Sequence, residues 1–71
     1  MEMLQVHVVV NGEVQGVDPG TNLTTLLARF QLQPKQVAIE INCDLVPRRQ
    51  FDSTTLNDGD RIEIVTLVGG G

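Results

Sequence analysis

One histidine, one cysteine, one pair of adjacent arginines, one aspartate-rich turn and a closing run of glycines are the places where this 71-residue sequence could carry chemistry. His7 alternates with Val6 and Val8 in a strand-like run, and no nucleophile lies near it in sequence, so a Ser–His–Asp or Cys–His arrangement has nothing to build on. Its plain reading is a solvated strand residue. Cys43 could form a persulfide or a mixed disulfide, but its neighbour is Asp44 and no basic residue adjoins it to activate the thiol. Asn57-Asp58-Gly59-Asp60 gathers two carboxylates without the spacing or closing Glu of a calcium loop, and reads as a turn. Pro47-Arg48-Arg49 holds the one basic pair, either a solvated bend or, through Arg48, a docking contact for an acidic partner. The G-x-x-x-x-G-K loop that cradles ATP phosphates is absent.

The run Val68-Gly69-Gly70-Gly71 follows an apolar strand with no charged cushion between them. A Gly-rich end can be a flexible terminus and nothing more. The same thinness has a chemical use. A carboxylate borne by glycine has no Cβ beside it and can pass through a tunnel that any side chain would block. Four extended residues reach about 13–14 Å, enough to present the Gly71 carboxylate inside another enzyme.

The elements that would hold such a tail follow from periodicity. Val6, Val8 and Val10 alternate with Gln5, His7 and Val9, and Asn11-Gly12 supplies a tight turn into Glu13–Val17, which makes a β-hairpin. Asp18-Pro19-Gly20 is loop, and Thr21 or Asn22 can cap a helix. Leu23, Leu26, Leu27 and Phe30 then share one helical face for about three turns, ending near Gln31 or Leu32 ahead of Pro34. Val37, Ile39 and Ile41 form the inner side of a strand, Asn42-Cys43-Asp44 turns the chain, and Pro47 cuts off a short strand begun at Leu45. The stretch from Arg48 to Asn57 has no period, with Phe51 and Leu56 as its anchors. Arg61 to Leu67 closes as a strand with Ile62 and Ile64 inward.

This order predicts an α+β fold, a mixed sheet of four to five strands around one helix, with the last strand central and beside the first. That is the β-grasp arrangement of ubiquitin-like domains. Its expected core is Val6, Val8, Val10, Leu23, Leu26, Leu27, Phe30, Val37, Ile39, Ile41, Ile62 and Ile64. The expected division is one domain over 1–67 and a flexible tail over 68–71. If Ile62 and Ile64 face inward, Val65 and Leu67 lie on the opposite face at the root of the tail. There they are either an apolar patch for a partner or cross-strand neighbours of Val9.

Composition narrows the class further. Five basic against nine acidic residues give a net charge of -4, and Trp and Tyr are absent, so nucleic acid is not an expected partner. One Cys allows no internal disulfide, and one Cys with one His cannot make a structural zinc site. No apolar run approaches the roughly 20 residues of a membrane helix. The opening Met1-Glu-Met-Leu-Gln lacks signal-peptide character, so a cytoplasmic location is expected.

With these pieces in order, the chain resembles the ThiS family, the ubiquitin-like sulfur carriers of thiamine biosynthesis. The resemblance runs from Val6 to Gly71. It is carried by Asn11-Gly12-Glu13, Pro19-Gly20-Thr21 and the Leu-rich helix, Val37-Ala38-Ile39, Val46-Pro47-Arg48, Asp58-Gly59-Asp60-Arg61-Ile62-Glu63-Ile64-Val65 and the terminal glycines. It implies that a separate E1-like enzyme uses ATP to adenylate Gly71. A persulfide donor then converts the adenylate to a thiocarboxylate, and thiazole synthase takes the sulfur into the thiazole ring. Gly69, Gly70 and Gly71 would thread the partner's tunnel. The carrier would be a co-substrate and not an enzyme, with no bound cofactor, no metal and no membrane or nucleic-acid partner. The chain departs from the family at Asn42-Cys43, where Asn-Gly is usual, and in Met1 to Gln5, an extension ahead of the usual start. Two other readings share the pattern: the small subunit of molybdopterin synthase, which uses the same chemistry, and a non-catalytic β-grasp interaction module.

Overall fold

The computed structural model describes residues 5–67. Its strands are organised by two tight turns of the same kind. Asn11 and Gly12 take φ of 49° and 87°, the paired positive values of a two-residue hairpin turn, and glycine meets the second without steric cost. They join β1 (Val6–Val10) to β2 (Glu13–Val17) in an antiparallel pair. Asn42 and Cys43, at 51° and 74°, join β3 (Val37–Ile41) to β4 (Asp44–Val46) in the same way. β5 (Arg61–Thr66) enters between the hairpins, parallel to β1 and antiparallel to β3, giving the order β2-β1-β5-β3-β4. The last strand is central and beside the first, as expected.

The helix α1 (Leu23–Arg29) covers one face of the sheet. Asn22 begins it, its side-chain oxygen accepting the Thr25 N–H at 2.8 Å. It stops at Arg29 after about two turns, short of the Gln31 or Leu32 that the apolar spacing suggests. The reason is a Schellman ending: the Leu32 N–H donates to the Leu27 carbonyl and the Gln31 N–H to that of Ala28, with Gln31 at φ 62°. Glycine usually occupies that left-handed position, so a glutamine there leaves no stop signal in the sequence. Phe30 becomes the C-cap and is 37% exposed, not the core residue that its spacing predicts.

The core otherwise follows the alternation. Val8, Val10, Val37, Ile39, Ile62 and Ile64 from the sheet meet Leu23, Leu26 and Leu27 from the helix. Val6 and Ile41 are only partly buried, while Val17, left out by the sequence reading, is fully buried opposite Val6. The aperiodic stretch makes a 3₁₀ turn at Arg48–Gln50 and is then laced to the start of the helix. The Leu23 N–H donates to the Thr54 carbonyl and the Leu56 N–H to that of Thr21, which seats Phe51 and Leu56 in the core. Among the described residues no polar or charged side chain is buried, and no helix is long and apolar enough to cross a membrane.

Candidate functional site

Gly69, Gly70 and Gly71 lie outside the described residues, so the site is built from their root. β5 alternates strictly. Ile62 and Ile64 enter the core, while Arg61, Glu63 and Val65 stand on the opposite, uncovered face of the sheet. Val65 is 58% exposed. Leu67 lies just past the strand's end at Thr66 rather than within the strand. Its N–H donates to the Gln36 carbonyl at 2.8 Å, and its side chain remains 43% exposed. Val65 sits opposite Ala38, whereas Val9 sits opposite Arg61, so Val65 and Val9 are not cross-strand neighbours.

Arg48 comes to the same surface from the loop after β4. Its Nε donates to the Pro34 carbonyl at 3.0 Å, which holds the stem against the body of the domain. Leu67, Arg48, Ala38, Leu45 and Pro47 line a shallow depression of about 220 Å³. Val65 joins this surface through its neighbour Ala38, so the structure brings together the three docking residues expected from sequence. Leu45, 68% exposed, belongs with them and was missed. The signal was present, because Leu45 pairs with Glu40 and so falls on the uncovered face. The apolar surface borders a charged row, since Glu40 stands directly opposite Glu63, with Arg61 two residues along. Like charges in that relation repel.

The remaining candidates lie elsewhere. The backbone N–H of His7 donates to Asp58 Oδ1 at 2.8 Å, and its carbonyl accepts from Gly59, which ties β1 to the turn before β5. Its imidazole Nδ1 stands 3.9 Å from the same carboxylate oxygen at an open surface. Cys43 is an exposed free thiol in the second hairpin turn. Among the described residues no three His, Cys, Asp or Glu side chains gather closely enough to hold a metal ion. The arrangement is a folded platform with an apolar patch at the end of β5, and such a surface suits contact with another protein.

Known proteins resemble this chain in sequence and in fold. The sulfur carrier protein ThiS of Bacillus subtilis (strain 168) is 43% identical over 54 residues, covering 76% of this chain and 80% of that protein. The thiazole synthase of Paramagnetospirillum magneticum is 35% identical over 63 residues, 89% of this chain, but the chain spans only 19% of that longer sequence. The crystal structure of the thiamine biosynthesis protein ThiS from Geobacter metallireducens superposes with a TM-score of 0.76 at 36% identity, over 93% of this chain and 100% of that one. A model of the ThiS family matches residues 6–71, nearly the whole sequence, and the chain belongs to the ThiS family.

Proposed function

We propose that the chain is the sulfur carrier of thiamine biosynthesis and that Gly71 is the residue that carries the sulfur. The observation that carries this reading is the family match, which runs through the glycines, on a fold that holds their root in its central strand. The chemistry asks little of the carrier itself. A carboxylate is a poor electrophile, so its oxygen first attacks the α-phosphorus of ATP, expelling pyrophosphate and leaving an acyl adenylate. The outer sulfur of a persulfide then attacks the acyl carbon and AMP departs. A thiol opens the remaining S–S bond and leaves the thiocarboxylate on Gly71. ATP and the persulfide belong to the partners, and the carrier acts as a recycled co-substrate rather than an enzyme.

Val65, Leu67 and Arg48 would dock the adenylating enzyme, while Gly69 and Gly70 keep the approach thin enough for its tunnel. Thiazole synthase is the proposed acceptor of the sulfur. Its support is the alignment of this whole domain with a fifth of a longer thiazole synthase, the relation expected when carrier and acceptor are joined in one chain. The proposed setting is the cytoplasm, where a reducing milieu keeps Cys43 a thiol. The test is a comparison of the full chain with one lacking Gly71, in restoring growth without thiamine to cells that have lost their own carrier. Restoration by the full chain alone supports the reading. Equal restoration by both overturns it.

A further inference from the structure

β5 is held on its two sides by different means. On the β3 side, backbone pairing runs the whole way from Ile41 opposite Ile62 to Val37 opposite Thr66, and the Leu67 N–H still finds the Gln36 carbonyl. On the β1 side the backbone runs out early. Val9 N–H donates to the Asp60 carbonyl and Asn11 N–H to that of Ile62, and there β1 turns away into its hairpin. The next two bonds come from a side chain. Asn11 Oδ1 accepts the Ile64 N–H at 2.8 Å, and Asn11 Nδ2 donates to the Ile64 carbonyl at 3.1 Å. The carboxamide takes the place of the peptide group that the ladder needs next, and it does so two residues before the strand ends at Thr66.

The second hairpin carries a near-copy of the device at the opposite end of β5. Asn42 Oδ1 accepts the Arg61 N–H at 3.0 Å, and the Asn42 N–H donates to the Arg61 carbonyl. Both asparagines are first residues of a tight turn with almost the same φ, 49° and 51°. One grips the strand where it begins and the other where it is about to leave the sheet.

The geometry points to Asn11 as a positioning residue for the chemistry at Gly71, an inference that rests on the carrier reading above. The argument is one of leverage. A tail reaching about 13–14 Å magnifies any angular play at its root. Reacting groups must meet within a fraction of an ångström, and a misplacement of 1 Å can cost about a hundredfold in rate. With Asn11 in place, the strand is bonded on both sides as far as Ile64, so the root of the tail, Val65 to Leu67, is held in a fixed direction. Without it the strand is bonded on the β3 side alone beyond Ile62, while the docking surface around Leu67 and Arg48 is untouched. Asn42 has no such effect, because play at Arg61 is absorbed within the sheet.

The test compares Asn11→Gly with Asn42→Gly, since glycine keeps the positive φ of each turn and removes only the side chain. Pyrophosphate release by the adenylating enzyme is followed with the carrier as the varied substrate. Asn11→Gly is expected to lower kcat roughly tenfold with KM held within about twofold, and Asn42→Gly to leave both near wild type. Amide hydrogen exchange is expected to rise at Ile64 in the first variant and at Arg61 in the second. An unchanged kcat in Asn11→Gly, or an equal fall in both variants, overturns the inference while leaving the carrier reading intact. A wild-type chain that releases no pyrophosphate overturns both. If Asn11→Gly fails to fold, Asn11→Asp decides. It keeps the acceptor for the Ile64 N–H and loses the donor to its carbonyl, so a lowered kcat supports the inference and an unchanged one refutes it.

Discussion

The two faces of β5 differ sharply, one buried and the other exposed. Ile62 and Ile64, one residue out of phase with Glu63 and Val65, are buried in the core with the helix. The opposite face carries a bare valine, a like-charged pair across strands and an exposed leucine just beyond the strand. One side of the strand is shaped by folding and the other is left unsatisfied by it. A central strand normally has both faces covered or one face made fully polar. An apolar residue kept on the open face, at the root of the glycine run, is what the proposed docking to another protein calls for.

The largest effect that separates the faces is Ile62→Ala. It removes a side chain with no exposure from a domain of a size at which modest stability is expected, and should cost about 3 kcal/mol, read from the urea midpoint. A cost under about 1 kcal/mol would erase the contrast. Val65→Glu, three residues on, should leave the urea midpoint within about 0.5 kcal/mol of wild type and weaken docking to the adenylating enzyme at least about tenfold, by titration of the two proteins. Loss of folding, or unchanged affinity, would show that the open face is not a docking surface. Cys43→Gly relieves a side chain held at φ 74° in the second hairpin and should raise stability by about 1 kcal/mol, seen as a higher unfolding midpoint. The smallest effect is Glu40→Gln, which should stabilise by about 0.3 kcal/mol at low salt and by less at high salt, because it removes the repulsion from Glu63. A destabilisation would mean that the pair has a structural role on that face.

The sequence was legible where burial repeats with a fixed period. The alternation through Val37–Ile41 and Arg61–Thr66 placed Val37, Ile39, Ile62 and Ile64 inward, and Asn-Gly at 11–12 announced its turn. The end of the helix was not legible, because Gln31 fills a left-handed position where glycine would have marked the stop. Val17 was hidden beside Gly16 in a strand with no alternation of its own, and it is buried through its place opposite Val6. At the site, Val65 and Leu67 were readable from parity. Arg48 required the fold to bring a loop residue to the end of β5. The grip of Asn11 on Ile64 spans 53 positions and left no local trace at all.

The measurement that bears most directly on the central claim is the intact mass of the full chain after incubation with its adenylating enzyme, ATP and a persulfide donor. The account predicts a product in which one oxygen has been exchanged for sulfur, with fragmentation placing the change on Gly71. A chain that turns over ATP yet returns with its mass unchanged, or with sulfur on Cys43 instead, would contradict it.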